Sequence, residues 1–319
     1  EIHGTSIEVL ASDPSNPVIG QIWYNTTSQT LKGLGVSSVA AWSTGGNMLA
    51  AIKELGGLGT QTAGLSVGGN EGGSSNQCEE YNGSSWTAGG NMSVPRFDVA
   101  AAGLQTAGLA FGGFAPSQSP TSSVSTEEYN GTAWTGGGNL GTGRYGGAGA
   151  GTQTAGLAFG GFLPPNTTAT EEYNGSAWTA GGALSAATKY LAGCGTQTAG
   201  LAFGGETPSA ADANATFEYD GSSWTGGGNL NTARQRLAGS GIQTAALAFG
   251  GNVSPLGATE EYNGTAWTTT TTMSFGRTAL AGCGTTSASL AFGGTPPDTA
   301  ATEEFNGVGS STTVTISGS

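Results

Sequence analysis

Between residues 97 and 138 the apolar positions come in four short bursts. Phe97 to Ala102 is small and apolar, and Ala107 to Phe111 is a continuous apolar run stopped by Gly112-Gly113. Thr126 to Tyr129 mixes polar and aromatic positions, and a last burst holds Trp134 and ends at Gly137-Gly138 before Asn139. Runs this short, bounded by Gly and Asn, predict strands and not helices. Asn130-Gly131 predicts a tight hairpin turn, because both residues tolerate positive φ. The unit therefore reads as four antiparallel strands, here called a to d.

The same unit recurs. The phrase Gly103-Leu-Gln-Thr-Ala-Gly-Leu-Ala-Phe-Gly-Gly113 returns almost unchanged, ending in Gly pairs at 68–69, 112–113, 160–161, 204–205, 250–251 and 293–294. A Glu-Glu-Tyr-Asn-Gly-type phrase follows each copy, and a Trp follows that phrase in all but the last. Trp42, Trp86, Trp134, Trp178, Trp224 and Trp267 each lie 26 residues before the first Gly of the next pair. Tyr81, Tyr129, Tyr173, Tyr219 and Tyr262 each lie five residues before their Trp. Length varies only between the Gly pair and the Tyr. A unit of near-constant period that accepts insertions at one place predicts a repeat architecture with one elaborated loop. Small residues in strand a, as in Leu191-Ala-Gly-Cys-Gly195, suit an innermost strand where units converge on an axis.

Composition sharpens this picture. Of 319 residues, 60 are Gly and only 9% are charged, which suits many short strands joined by tight turns. A net charge of −13 with eight Lys plus Arg excludes a nucleic-acid partner, since phosphates demand a basic surface. No apolar run approaches the roughly 18–20 residues of a spanning helix, so no membrane insertion is expected. Glu1 heads the chain, so no initiator Met or leader is expected within it. Cys78, Cys194 and Cys283 show no paired spacing, which predicts neither a metal site nor a disulfide framework. Cys194 and Cys283 occupy one repeat position and read as small packed residues.

Residues 1–36 stand outside the repeat and form a separate expected domain, with 37–319 as the second. Gly20-Gln-Ile-Trp-Tyr-Asn-Thr-Thr-Ser-Gln-Thr-Leu-Lys32 predicts a hairpin, with Ile22 and Tyr24 alternating with Trp23. With Pro17, this stretch resembles a segment common near the amino end of bacteriophage tail-fibre and other virion proteins. The repeat itself, over about 42–307, resembles kelch repeats. The residues that carry this are the Gly pair, the Glu-x-Tyr-Asn/Asp-Gly phrase, the following Trp, and a basic residue before strand a: Arg96, Arg144, Arg234 and Arg277. Ile52 and Thr188 depart from that last pattern, and Phe305-Asn-Gly307 has no Trp after it. The kelch resemblance implies an all-β, six-bladed β-propeller with four antiparallel strands per blade. Trp42 precedes any a, b or c strand, so the strand around it is expected to complete the last blade and close the ring. The tail, Ser311 to Ser317, is a competing strand that would sit outside Trp42 or pair with a neighbouring chain.

Enzyme chemistry finds little support. His3 is the sole histidine, which removes Ser-His-Asp, Cys-His and His-rich metal arrangements, and no cofactor is expected. A copper oxidase of the galactose-oxidase type resembles this chain only in fold. The Asp-box phrase of six-bladed sialidases is missing. Adjacent Glu residues on a strand point to opposite faces, so the Glu-Glu pairs read as scaffold. The sharper candidates are Arg96, Arg144, Arg234 and Arg277, at the start of strand a, with Phe114 and Phe162 just after Gly pairs. Antiparallel order puts all six on the face that carries the variable b–c loops. Two readings stand side by side: the guanidiniums bind a glycan or acidic group, or they cap carbonyls and pair with the Glu phrases. The functional expectation is a non-enzymatic virion structural protein, a tail-fibre or surface-decoration component. It would join other virion proteins or itself as a homo-oligomer through residues 1–36, and present the propeller to a host glycan or surface protein. A generic kelch protein-binding module is the alternative.

Overall fold

The computed structural model describes residues 7–15, 17–36, 39–118, 120–308 and 311–316. Among these there is no helix; the chain is all-β. It divides into two compact units, Glu1–Ala41 with Asn306–Ser319, and Trp42–Phe305.

The first unit contains one four-stranded sheet. Ile22–Asn25 and Thr30–Val36 form the expected hairpin, turning at 26–29. Glu8–Leu10 pairs in parallel with Ile22–Asn25. Ser311–Thr315 pairs antiparallel with Lys32–Val36. The tail therefore belongs to the sheet that holds the Gly20–Lys32 hairpin, not to the last copy of the repeat. Thr and Val alternation suits either edge, so periodicity alone did not choose the partner. Ser317 and His3 lie outside the described residues. Trp23 is fully buried, and its indole N–H donates to Asp13 at 3.0 Å. Asp13 also accepts from Asn25 and Lys32, each at 2.7 Å. The hydrogen bond from Lys32, then those from Asn25 and Trp23, hold the Asp13 carboxyl down at about 2.

The second unit is a propeller-like repeat of four-stranded antiparallel sheets. Sheet one runs Gly56–Thr60, Ala63–Asn70, Ser74–Tyr81 and Trp86–Ala88. Sheet two runs Ala100–Leu104, Ala107–Phe111, Thr126–Tyr129 and Trp134–Gly136. Sheet three runs Ala148–Thr152, Ala155–Phe159, Thr170–Tyr173 and Trp178–Ala180. Sheet four runs Ala192–Thr196, Ala199–Phe203, Thr216–Tyr219 and Trp224–Gly226. Sheet five runs Ala238–Ile242, Ala245–Phe249, Thr259–Tyr262 and Trp267–Thr269. In sheet six, Ala281–Thr285, Ala288–Phe292 and Thr302–Asn306 are followed in space by Ala41–Thr44. The a-strands of sheets one to six neighbour one another in that order, and Ala281–Thr285 also neighbours Gly56–Thr60.

The core lies between sheets. Leu109 and Phe111 of sheet two are at most 1% exposed, and Phe111 meets the Trp178 ring of sheet three at 4.8 Å. Gly in strand a makes this approach possible: a Cβ on Gly149 would lie 2.7 Å from Phe111 Cζ. The Gly pair is required for a different reason. Gly112 and Gly113 have φ of 65° and 98°, a region costly for residues with a Cβ.

Three side-chain links repeat between consecutive sheets. The indole N–H of Trp178 donates to Thr126 at 2.9 Å, and Trp224, Trp267, Trp42 and Trp86 donate likewise to Thr170, Thr216, Thr259 and Thr302. The Tyr173 hydroxyl donates to Glu128 at 2.5 Å, with Tyr129–Glu80, Tyr219–Glu172, Tyr262–Glu218 and Tyr81–Glu304 as its counterparts. The Gln153 amide donates to the carbonyls of Gly108 and Tyr129 at 3.0 and 2.7 Å. Gln61 makes the same clamp onto Ser289 and Phe305 of sheet six. Glu80, Glu128, Glu172, Glu218 and Glu304 are thus acceptors between sheets, while Glu261 has Phe305 in place of a Tyr.

Candidate functional site

The basic residues before strand a are not surface groups. Arg96, Arg234 and Arg277 are 0% exposed and Arg144 is 3% exposed. Arg96 pairs with Glu127 at 3.0 Å and donates to the carbonyls of Ser125 and Gly112 at 2.7 and 3.1 Å. Arg144 pairs with Glu171, Arg234 with Glu260 at 3.1 Å, and Arg277 with Glu303 at 3.5 Å. Burial holds all four guanidiniums below their ordinary range, opposed by the paired carboxylate. The geometry is that of the internal-pairing reading. With 0–3% of their surface exposed, the four guanidiniums are met by carboxylates and carbonyls of the chain itself. The sequence placed each Arg at the correct end of its strand, but its partner lies on strand c, beyond the variable loop.

Where the Arg and Glu are lost, they are lost in instructive ways. In sheet four Thr188 and Phe217 replace the two partners together, leaving no buried charge. In sheet one Ile52 stands alone opposite Glu79, which is 5% exposed. Burial pushes the Glu79 carboxyl up, and it is relieved by the backbone N–H groups of Leu49 and Ala50 at 2.8 and 3.2 Å.

The face itself is formed by other residues. Two positions beyond each Arg, or its replacement, stand Glu54, Asp98, Gly146, Tyr190, Arg236 and Ala279, with φ between 50° and 61°. Their backbones are linked in a cycle. The N–H of Asp98 donates to Glu54 O at 2.7 Å, Gly146 to Asp98 at 3.0 Å, and Tyr190 to Gly146 at 2.6 Å. Arg236 donates to Tyr190 at 2.9 Å, Ala279 to Arg236 at 2.8 Å, and Glu54 to Ala279 at 2.8 Å. All six residues line one cavity of about 90 Å³, whose walls include Val99, Leu191, Leu237 and Leu280.

Asymmetry enters through the side chains. Arg236 donates to Glu54 at 2.7 Å, lies 3.8 Å from Asp98, and stacks over the Tyr190 ring at 3.9 Å. Burial opposes the charge on Arg236, but Asp98, Tyr190 and Glu54 together hold its affinity for the proton above the ordinary value. The Asp98 side chain is 7% exposed and accepts no hydrogen bond among the described residues. Burial pushes its carboxyl up to about 7, against the pull of Arg236. Burial, then Asp98, pushes the Tyr190 hydroxyl up to about 12.

Beside this polar half runs an aromatic arc. Phe97 meets Phe114 at 5.0 Å, Phe114 meets Tyr145 at 5.3 Å, and Tyr145 meets Phe162 at 5.3 Å. Backbone bridges Phe97–Phe114 and Tyr145–Phe162 fix the rings in pairs, and all four are half-buried. Phe114 and Phe162 are thus half-buried rings, whereas the Arg residues are buried. Phe97, Tyr145, Asp98, Tyr190 and Arg236 were missed. A signal for them existed: they occupy the columns where otherwise near-identical copies differ.

Among the described residues no three His, Cys, Asp or Glu side chains come together as a metal site. The three cysteines are buried and free, with burial pushing Cys78 up to about 11 and Cys194 and Cys283 up to about 12. None has the depressed value of a reactive thiol.

Compared with known protein families, the chain matches none, and no curated protein matches it in sequence. The likenesses to kelch repeats and to virion proteins rest on the residues quoted above.

Proposed function

We propose that the chain is a non-enzymatic recognition protein of a virion, of the tail-fibre or surface-decoration kind. Its repeat is read as a six-bladed, kelch-like propeller closed by the Trp42 strand. The observation that carries the recognition reading is where the copies diverge. Strands, Gly pairs and inter-sheet links are held nearly constant, while Lys53, Phe97, Tyr145, Lys189, Gln235 and Thr278, and the cavity residues beside them, differ in charge, size and shape. Five of the six cavity positions also hold a non-Gly residue at positive φ, a conformation that costs about 1–3 kcal/mol per residue and gathers at functional sites.

Closure is supported by the amide cycle returning to Glu54, by the Gln61 clamp onto sheet six, and by Trp42 packing on Phe249 and Phe305 at 5.1 and 5.2 Å. The virion reading draws on the Gly20–Lys32 stretch. Val9, Val18 and Ile19, 62–67% exposed, offer that unit apolar surface for other virion proteins or for a second copy. Antibodies against the repeat should label intact particles, and the purified chain should block particle adsorption to host cells. Absence of the chain from particles would leave the cellular kelch-module reading in its place.

A further inference from the structure

We infer that the mouth binds a neutral sugar, with Asp98 and Arg236 meeting its hydroxyl groups and Phe114 and Tyr145 its apolar face. This rests on the recognition reading above and specifies its ligand.

The polar half of the argument begins with Asp98. A carboxylate more than nine-tenths buried ordinarily collects hydrogen bonds, because leaving its oxygens unmet is costly. Asp98 faces the cavity and accepts none among the described residues; its ion-pair partner, Arg236, stands 3.8 Å away and is committed to Glu54 at 2.7 Å. The missing partners are therefore donors, brought by a ligand or by water. Sugar hydroxyls donate to a carboxylate and accept from a guanidinium, and one diol spans both.

The apolar half is the arc of Phe97, Phe114, Tyr145 and Phe162, in which Phe97 and Tyr145 directly precede the cavity-lining Asp98 and Gly146. Half-buried rings beside a few convergent polar groups are the usual make-up of a ligand site. The C–H face of a pyranose packs on such rings while its hydroxyls reach the polar side.

Charge decides against an anionic ligand. Every cation at the rim already has a carboxylate: Arg236 has Glu54, Lys189 has Glu206 at 3.0 Å, and Lys53 has Asp298 at 3.1 Å. Asp212, and Asp98 to the extent that it is ionised, remain in excess, so a sialic acid or phosphate meets net negative charge. A cationic ligand is disfavoured from the other side, since Lys189 and Arg236 already occupy the Tyr190 ring at 5.0 and 3.9 Å.

The test uses the full chain and methyl glycosides of glucose, galactose, mannose and N-acetylglucosamine, with sialyllactose as the anionic control. Saturation-transfer NMR and calorimetry should find binding of at least one neutral glycoside and none of sialyllactose. Asp98→Asn should weaken that binding roughly tenfold or more, as for loss of a hydrogen bond to a charged group. Phe114→Ala, at a half-exposed ring, should weaken it about two- to tenfold and serves if Asp98→Asn folds poorly. Binding of no neutral glycoside, binding of sialyllactose alone, or binding unchanged in a folded Phe114→Ala protein overturns the inference. Adsorption to host cells is read in parallel. Adsorption that survives periodate treatment of the cells removes the sugar but leaves recognition standing. Absence of any adsorption removes the recognition reading itself.

Discussion

Cys78→Thr should stabilise the protein, and the reason is a vacancy in one of the repeated links. Five Trp side chains donate to a Thr hydroxyl on strand c of the preceding sheet, at 2.9–3.1 Å. Trp134 is the sixth, and the residue at its Thr position is Cys78; the buried indole nitrogen faces the Cys78 sulfur without reaching hydrogen-bond geometry. A thiol is a weak acceptor. Space for the extra methyl exists, because in sheets two to four the Thr methyl lies 3.3–3.4 Å from where a Cβ on Gly137, Gly181 or Gly227 would stand. Gly89 is the counterpart here, and it too lacks a Cβ. One net hydrogen bond is worth about 0.5–1.5 kcal/mol. For a unit this large, a gain of about 1 kcal/mol raises Tm by about 2 °C. Urea titration followed by tryptophan fluorescence measures it, and Trp134→Phe supplies the control. The gain should vanish in the Trp134→Phe background. An equal gain in both backgrounds, or a loss in either, would refute the hydrogen-bond argument.

Further outcomes follow from the same links. Phe305→Tyr alone should destabilise by about 1–3 kcal/mol, the cost of overpacking, because Thr270 occupies the place where other copies have Gly beside the Tyr hydroxyl; adding Thr270→Gly should recover it in the same urea titration. Arg234→Ala should cost about 3–5 kcal/mol by stranding Glu260, whereas Arg234→Thr with Glu260→Phe, the pairing native to sheet four, should cost less. Trp42→Ala should cost about 3–5 kcal/mol as a large buried aromatic, read by thermal melting. Asp98 contributes a pH slope: its folded value of about 7 lies above its unfolded one, so its stabilisation is complete below about pH 4 and is lost as pH rises through 7. Asp98→Asn should flatten stability between those limits, and an unchanged slope would assign it to other groups.

The strands, the inter-sheet Trp spacing and the hairpin at Gly20–Lys32 were legible because each follows from local rules: Gly pairs stop strands, Asn-Gly turns them, and a fixed interval of 26 residues keeps them in phase. Partner choice was less legible. The pairing of Ser311–Thr315 with Lys32–Val36 joins the two ends of the chain, and alternation of Thr with Val and Ile fits any open edge. The fate of Arg96, Arg144, Arg234 and Arg277 was legible only as two alternatives. Charge and position located them on the loop-bearing side; depth decided between them, and depth depends on how Glu127, Glu171, Glu260 and Glu303 return across a loop of variable length. Asp98 and Arg236 were not legible in the repeated phrases because they stand where the copies differ.

The amide cycle through Glu54, Asp98, Gly146, Tyr190, Arg236 and Ala279 has a consequence for how such a surface diversifies. Each backbone unit in it gives one hydrogen bond and takes one from another of the six, so the cycle makes no demand on side-chain identity beyond tolerance of positive φ. It works as a typesetter's frame: six sockets at one level, each accepting a different character while the frame keeps its dimensions. Glutamate, aspartate, glycine, tyrosine, arginine and alanine already occupy it side by side. Rewriting the mouth for another ligand then requires point changes at those sockets, with the strands beneath left as they are.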